Sequence, residues 1–439
     1  MPIWREAKVK INEKLKEKIL QQEEQKIFSS VKFKKIEDQV KDSLKRRETD
    51  SALYDLTIWA LILWASDIHY EVFEDEVEVR FRIDGILVNV FNLELKQYKL
   101  ILERLKYSAN LKLNIVNVPQ DGKYELKIKE KKDTKLDVRV STLPTKYGEN
   151  VVCRLLDASK AIVDFEDLGF FWTSKRMIEK AISKKNGLIL VTWPTGSGKT
   201  TTLYTILSKL NTPDKKIITL EDPIEYELPW VIQAEVNEKL GFTYQTWLKA
   251  LLRQDPDIIM VWEIRDKATL DTATSASLTG HLVLSTLHTK SAADTLDRVI
   301  NMWLKPYILA SAIDTIIAQR LVRKICPHCK TEKEKTPWET ALIKNMMEDI
   351  WMKWMPAEKL KLYHWEWCDK CSWSGYKWRI WIFEIITLNE ELKDLIREWA
   401  TADEIIKSAR GKDLILMQED GILKAIKGYT TIEEVLRVT

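Results

Sequence analysis

The stretch that decides the fold is GLILVTWPTGSGKT, residues 187–200. Its first six residues form a short apolar run of the kind that makes a buried parallel strand, and a helical pattern follows its last residue. Between them, the backbone N–H groups of TGSGKT and the N-terminus of the helix predict a cradle for phosphate groups. In such a loop, Lys199 reaches the β- and γ-phosphates and the Thr200 hydroxyl ligates Mg²⁺. A glycine turn without a ligand is the alternative. The predicted nucleotide contacts are Trp193, Pro194, Thr195, Gly196, Ser197, Gly198, Lys199, Thr200 and Thr201.

One position of this loop departs from the pattern G-x-x-x-x-G-K-T, because Trp193 stands where the first glycine is expected. The whole chain shows the same bias, since its 439 residues include 18 tryptophans and only 13 glycines. Average glycine usage is about 7%, which corresponds to roughly 30 residues at this length. A protein so poor in glycine is short of residues for tight turns.

Downstream of the loop, short apolar runs alternate with helical patterns, which predicts an α/β fold with a doubly wound parallel sheet. These runs cover residues 217–220, 258–261 and 282–285. Acidic residues follow two of them, at Glu221 to Glu225 and at Glu263. Because the carboxyl ends of parallel strands face the ligand crevice, both groups are expected to converge on the phosphates, where carboxylates hold Mg²⁺ and orient water. The alternative is that they cap helices.

Two of the five histidines, His281 and His288, flank the apolar run that starts at residue 282. A single histidine is more often structural than functional. A pair that brackets one core strand of a nucleotide-binding fold is equally consistent with a sensor of the nucleotide state, and both interpretations stay open.

Upstream of residue 158, the apolar period is two in the segments 77–83, 136–140 and 151–155, and helical around 100–111, which predicts a small α+β domain. The first of these segments ends at Asp84-Gly85, a hairpin turn signal. The first 48 residues carry dense mixed charge, and we interpret them as a weakly packed helical arm, because mixed-charge faces usually meet solvent. The alternative is a docking segment for a membrane-bound partner.

Two Cys-x-x-Cys pairs predict a structural Zn²⁺ site, because four thiolates complete a tetrahedral shell. The ligands are Cys326, Cys329, Cys368 and Cys371. The long segment between the pairs is acceptable, since the cost of closing a loop grows slowly with its length. Pairs without a metal are the alternative. The fifth cysteine, Cys153, is expected to be buried on a strand.

Composition excludes several classes of protein. Hydrophobic residues make up 45% and charged residues 31%, which indicates a soluble globular chain and not a disordered one. A net charge of +3 indicates no general affinity for nucleic acid. The longest apolar runs fall far short of the roughly 20 residues that a membrane helix needs, and the charged N-terminal residues do not form a signal peptide.

Four motifs in order resemble the secretion NTPase superfamily, and in particular the ATPases of type II secretion and type IV pilus assembly. They are the phosphate loop at 193–200, EDPIE at 221–225, the segment 253–266, and the pair TGHL (279–282) and STLHT (285–289). Upstream, ASDIH (65–69), RFRIDG (80–85), PQDG (119–122) and STLP (141–144) also match. The resemblance covers about residues 50–439.

The resemblance implies an N-terminal α+β PAS-like domain, a RecA-like P-loop NTPase core, and a small C-terminal region that binds zinc and is otherwise helical. The expected boundaries are 1–48 for the arm, 49–158 for the PAS-like domain, 159–173 for a linker, 174–320 for the RecA-like core, 321–386 for the tetracysteine zinc element and 387–439 for the C-terminal helices.

The resemblance also implies roles for single residues. Glu225 resembles the glutamate that activates water, and Glu263 resembles the one that holds Mg²⁺ through a water, together with Thr200. One of three matching arginines of the PAS-like domain is expected to neutralise charge at the γ-phosphate. The expected catalytic set is Glu225, Glu263, Lys199, Arg82, Arg139, Arg154, His281 and His288.

For partners, the resemblance implies a homohexamer that converts ATP hydrolysis into rotation of an inner-membrane platform protein, which extrudes pilin subunits. The implied cofactors are ATP, Mg²⁺ and Zn²⁺. The implied location is cytoplasmic, at the inner membrane through partners, without direct nucleic-acid contact. The tetracysteine element favours assembly over retraction, whereas the short region ahead of the PAS-like domain differs from the larger docking domain that assembly ATPases often carry.

Ten tryptophans stand where members of this family commonly have glycine. They are Trp64, Trp193, Trp230, Trp247, Trp262, Trp303, Trp367, Trp373, Trp378 and Trp381. One residue type at every site indicates one cause, and we hypothesise that UGA codons meaning glycine were translated as tryptophan. If Trp193 and Trp262 are genuine, an inactive scaffold is the alternative. A DNA-translocating RecA-like motor is a further one.

Overall fold

The computed structural model describes residues 31–128, 135–156, 163–192, 198–237, 241–302, 305–350, 356–371, 374–410 and 414–439. The chain divides into two compact units, which are described separately. The first unit consists of the described residues up to 160 together with those of 367–378, and the second consists of the described residues of 161–366 and 379–439.

In its described residues, the first unit combines three helices with one antiparallel sheet, and the α+β character expected of this region is confirmed. Its elements are α1 (Val31–Lys45), α2 (Thr49–Ile62), β1 (Ala65–Val72), β2 (Glu76–Ile83), β3 (Ile86–Glu94), α3 (Leu95–Ser108), β4 (Gln120–Lys127), β5 (Lys135–Pro144) and β6 (Glu149–Leu156). The strand order is β3-β2-β1-β6-β5-β4. The hairpin predicted at Asp84-Gly85 joins β2 to β3, where Ile83 pairs with Ile86. Both turn residues have positive φ, as a type I′ turn requires.

The arm is packed more closely than the sequence indicated. Helix α1 buries Phe33, Ile36, Val40 and Leu44 in the same core as the sheet. These residues recur every three or four positions, so they form one apolar stripe in a segment that is otherwise charged. The interpretation of a weakly packed arm is therefore wrong for residues 31–45, while residues 1–30 lie outside the described part of the chain.

A buried ion pair ties α3 to β6. The Lys106 ammonium donates to a Glu149 carboxylate oxygen at 2.6 Å and to the carbonyl of Ile115 at 2.8 Å. The Tyr98 hydroxyl donates to the Glu149 carbonyl at 2.6 Å. Because Lys106 and Glu149 are only 2% and 5% exposed, each charge depends on the other for its stability.

The second unit contains a seven-stranded sheet in the order β15-β12-β7-β11-β10-β8-β9. Its strands are β7 (Gly187–Thr192), β8 (Ile217–Glu221), β9 (Ile232–Glu235), β10 (Ile258–Val261), β11 (Leu282–Leu287), β12 (Ile313–Ile325) and β15 (Tyr376–Thr387), with a separate antiparallel pair of β13 (Lys330–Lys333) and β14 (Leu362–Trp365). Its helices are α4 (Trp172–Ile182), α5 (Lys199–Leu210), α6 (Tyr244–Leu251), α7 (Lys267–Leu278), α8 (Ala292–Asn301), α9 (Pro306–Ala312), α10 (Pro337–Asp349), α11 (Glu390–Arg397), α12 (Ala402–Arg410), α13 (Met417–Ile426) and α14 (Ile432–Val438).

The centre of this sheet confirms the predicted α/β fold. Strands β7, β8, β10 and β11 are buried at every residue, and the pairs β12–β7, β7–β11, β11–β10, β10–β8 and β8–β9 are parallel. Continuous apolar runs are what such strands need, because helices cover both faces of the sheet. The boundary expected at residue 320 falls inside β12, and β15 places part of the expected zinc element in the same sheet.

Candidate functional site

The phosphate-loop turn joins β7 to α5 at an edge of the sheet. Gly198 has a φ of 76° at the N-cap of this helix, a conformation that glycine adopts without strain. Thr200 and Thr201 are half-buried in the first turn of α5. Residues 193–197, which include five of the predicted contacts, lie outside the described residues, and so does the side chain of Lys199.

The order of the parallel strands decides which groups share this edge. Strands β7, β11, β10 and β8 are neighbours in that order. The loop follows β7, His288 follows β11, Glu263 comes just after β10, and the segment 221–225 begins at the end of β8. All of them therefore lie at the carboxyl ends of the strands, where open α/β sheets bind ligands.

Glu263 stands at the centre of a polar network on this edge. One of its carboxylate oxygens accepts a hydrogen bond from Arg265 Nε at 2.9 Å, and His288 Nε2 lies 3.2 Å from the other. Arg265 Nη1 also donates to Asp222 at 3.3 Å. Arg265 thus joins the two acidic segments, a role that the sequence did not reveal because it depends on the adjacency of β8 and β10.

Glu221 is a structural residue of this edge. It is fully buried and accepts hydrogen bonds from Thr219 Oγ1 at 2.6 Å, from Gln233 Nε2 at 3.0 Å and from the Tyr204 hydroxyl. Burial and the neighbouring Glu221 carboxylate raise the pKa of Tyr204, so that its hydroxyl remains a donor. Glu225 is half-buried at this edge.

The two histidines are separated by the strand that they flank. Strand β11 has six residues, so its ends lie about 20 Å apart at roughly 3.3 Å per residue. His281 Nδ1 hydrogen-bonds the carbonyl of Ala276 at 3.0 Å, at the amino end of the strand. The structure brings His288 to Glu263 but does not bring His281 there, so the pair does not act at one site.

The three arginines of which one is predicted to lie near the γ-phosphate, Arg82, Arg139 and Arg154, belong to one row across the sheet of the first unit. Arg82 of β2 and Arg154 of β6 both pair in register with Asp67 of β1, and Arg154 also pairs with Arg139 of β5. Arg154 Nε donates to Asp67 at 3.0 Å, and Arg82 Nε lies 3.7 Å from its other oxygen. The exposed Lys123 of β4 continues the row opposite Arg139. Like charges directly opposite each other are destabilising, and this row places Arg139 between Arg154 and Lys123.

The four cysteines of the two Cys-x-x-Cys pairs come together. Their sulfur atoms all lie within 4.8 Å of one another. The Sγ atoms of Cys368 and Cys371 are 3.7 Å apart, close to the spacing of about 3.8 Å that two thiolates have on a tetrahedral zinc ion. The backbone N–H of Gly375 donates to Cys371 Sγ at 3.3 Å, as outer-shell groups do around a metal thiolate. The donor set therefore fits Zn²⁺.

Cys153 is separate from this cluster and lies on β6, as predicted. It is buried. Burial raises the pKa of its thiol to about 12, with the Asp67 carboxylate adding to the effect. Among the described residues, no helix has the length and apolar character to cross a membrane.

A parallel sheet with a phosphate loop and carboxylates at its carboxyl edge defines a P-loop NTPase. Residues 52–437 match the family described as type II/IV secretion system protein, and the chain belongs to this family. Over 378 residues it is 42% identical to type II secretion system protein E of Dickeya dadantii, covering 85% of this chain and 72% of that protein. It is 43% identical over 375 residues to the type IV pilus assembly ATPase PilB of Pseudomonas aeruginosa, covering 85% and 64%.

Solved structures agree with this fold. The ATPase DotB of Legionella pneumophila superposes with a TM-score of 0.62 at 20% identity, over 87% of this chain and 94% of that one. The pilus retraction motor PilT, solved with bound ADP, superposes with a TM-score of 0.56 at 25% identity, over 88% and 96%.

Proposed function

We propose that this chain is an ATP hydrolase that powers the assembly of type IV pili or of the pseudopili of type II secretion. The observation that carries the proposal is the shared carboxyl edge, where the phosphate loop, Glu263 and the segment 221–225 lie together. The names of the relatives support the same class of activity, since they include secretion proteins and a pilus assembly ATPase.

Each group at the edge has a proposed task. Lys199 and the loop N–H groups would hold the phosphates. Glu263 and Thr200 would hold Mg²⁺, which prefers carboxylate and hydroxyl oxygens. Glu225 would orient the attacking water. His288 Nε2 lies 3.2 Å from the Glu263 carboxylate. It would sense whether that carboxylate holds Mg²⁺ and would transmit this state to strand β11.

The remaining parts of the proposal concern assembly. We propose a homohexamer at the cytoplasmic face of the inner membrane, attached through a platform protein. The cationic row of the first unit would supply the arginine that neutralises charge on the γ-phosphate. The tetracysteine cluster would bind Zn²⁺ as a structural ion, because four thiolates leave no open position for chemistry.

An ATP hydrolysis assay tests the proposal. We expect the chain with Trp193→Gly and Trp262→Gly to hydrolyse ATP in the presence of Mg²⁺. Glu225→Gln in that background should abolish turnover, whereas Glu227→Gln, which changes an exposed residue just after the segment 221–225, should leave turnover unchanged. A glycine-containing chain that neither binds nor hydrolyses Mg-ATP would contradict the proposed activity.

The same assay separates the alternatives. Stimulation of hydrolysis by DNA would favour a DNA-translocating motor. Hexamers that form without hydrolysis, in a chain shown to have tryptophan at both positions in its native form, would favour the inactive scaffold.

A further inference from the structure

Four tryptophans have a backbone conformation that suits glycine. Trp64, Trp230, Trp378 and Trp399 have φ values of 61°, 63°, 67° and 60°. In the described part of the chain they are half of the residues other than glycine with positive φ; the others are Arg47, Asp84, Asn110 and Asp255. Asparagine and aspartate often adopt this conformation, but for a bulky residue it is an outlier.

Two of the four stand at the position after a helix end where glycine is most common. The Trp64 N–H donates to the carbonyl of Leu61 at the end of α2. At the end of α11, the Trp399 N–H donates to Ile396 and the next N–H, of Ala400, donates to Leu395. This second pattern is a Schellman motif, whose left-handed residue is usually glycine.

The other two stand in a turn and at the start of a strand. The Val231 N–H donates to the carbonyl of Leu228 at 3.3 Å, so Pro229 and Trp230 are the central residues of a β-turn. Proline followed by a residue with positive φ is typical of a type II turn, which requires glycine or asparagine at the second place. Trp378 lies in β15, where a positive φ is the mark of a glycine bulge.

Trp381, which is buried, and Trp247, which is half-buried, support the same conclusion by a different observation. The indole N–H groups of Trp247 and Trp381 are buried without a hydrogen-bond partner in the part of the chain that the structure describes. The Trp381 ring also lies so close to the phosphate loop that a Cβ on Gly198 would be 2.8 Å from its Nε1. By contrast, Trp59 lies in the last turn of α2, three residues before the helix ends at Ile62, and its N–H donates to Gln39 at 2.7 Å.

We infer that the native protein carries glycine at Trp64, Trp230, Trp378 and Trp399, and tryptophan at Trp59. Trp399 is not one of the ten tryptophans at family glycine positions, so its backbone conformation adds an eleventh position. Trp262 gives no such signal, because it is buried in the core with its ring edge-on to Tyr204. One codon that two genetic codes read differently, UGA, accounts for all the glycine sites together.

A mass spectrum of the native protein tests this inference. We expect the peptides that span the four positive-φ positions to be lighter by the mass difference between tryptophan and glycine at each position. The peptide with Trp59 should have the mass that tryptophan gives. Tryptophan at any one of the four positions, or a UGG codon there, overturns the inference. The spectrum does not depend on ATP hydrolysis, so its outcome and that of the activity assay are independent.

Recombinant variants give a second readout. We combine Trp64→Gly, Trp230→Gly, Trp378→Gly and Trp399→Gly in one fourfold variant. Its Tm is expected to be higher by about 5 °C or more than that of the unsubstituted chain, because each change removes the strain of a left-handed backbone at a bulky residue. The matched control Trp59→Gly should lower the Tm, since it places glycine within a helix. A fourfold variant with an equal or lower Tm would speak against glycine as the native residue.

Discussion

Replacing Glu434 by glutamine is expected to lower the free energy of unfolding of the second unit by about 3 kcal/mol at neutral pH. The Glu434 carboxylate is buried and accepts hydrogen bonds from Arg323 Nη2 at 2.8 Å, from Arg437 Nε at 2.7 Å and from the Arg323 backbone N–H at 2.9 Å. Burial raises its pKa, but the charges of Arg323 and Arg437 outweigh burial and hold the pKa at about 2 instead of 4.5.

The magnitude follows from that difference in pKa. A fall from 4.5 to about 2 corresponds to about 3 kcal/mol, at about 1.4 kcal/mol for each pH unit. Because the pKa is lower in the folded state, the stabilisation is present above pH 4.5 and is lost as the pH falls toward 2. Removing one partner of a buried ion pair costs roughly the same, about 3–5 kcal/mol, because the remaining charge is left buried.

Urea unfolding of the unmodified chain and of Glu434→Gln, measured over a series of pH values, tests this reasoning. The difference between the two should be constant from neutral pH to about pH 5.5 and should shrink below that. Glu433→Gln is the matched control, since the Glu433 side chain is 37% exposed and pairs with Lys333 at the surface; we expect it to cost at most about 1 kcal/mol. A Glu434→Gln difference that is below about 1 kcal/mol, or that does not change with pH, would refute the argument.

Further predictions concern the cysteines, the polar network and the first unit. Cys371→Ser should abolish zinc binding in metal analysis of the purified chain, whereas Cys153→Ser should leave the zinc content unchanged. With its pKa raised to about 12, the Cys153 thiol should resist alkylation near pH 8 until the chain unfolds. Arg265→Lys should lower kcat and raise the Mg²⁺ concentration needed for ATP turnover, because lysine lacks the fork that joins two carboxylates; an unchanged Mg²⁺ dependence would contradict this. Lys106→Met should destabilise the first unit by about 3 kcal/mol or more in thermal unfolding, because the Glu149 carboxylate would stay buried without its cation.

The sequence predicted the centre of the nucleotide-binding sheet well, because fully buried parallel strands are apolar at every position. The local sequence does not predict strand β12, because its run IDTIIAQRLVRKI contains Arg320 and Arg323 and is not apolar at every position. Arg323 can be buried in this strand because the carboxylate of Glu434, 111 residues further along the chain, neutralises its charge. A partner at that distance leaves no signal in a local pattern.

The candidate site, too, could be predicted only in part from the sequence. The sequence predicted that Glu263 and the segment 221–225 would share one edge, because both follow apolar runs of a parallel sheet. It did not predict the bridge by Arg265 or the extension of the cationic row to Lys123, since both depend on which strands are neighbours and in what register. The six-residue strand β11 separates His281 from His288, so only His288 lies at this edge.

Strand β12 also connects the end of β7 with the cysteine cluster. Its residue Ala318 pairs with Thr192, the last residue before the phosphate loop, and Cys326 directly follows its end. The residues between, 319–325, extend for about 23 Å at roughly 3.3 Å per residue and include neither glycine nor proline. One strand without glycine or proline therefore connects the residue paired with Thr192 to the first Cys-x-x-Cys pair. Between these two points, the buried ion pair of Arg323 and Glu434 fixes the strand to α14.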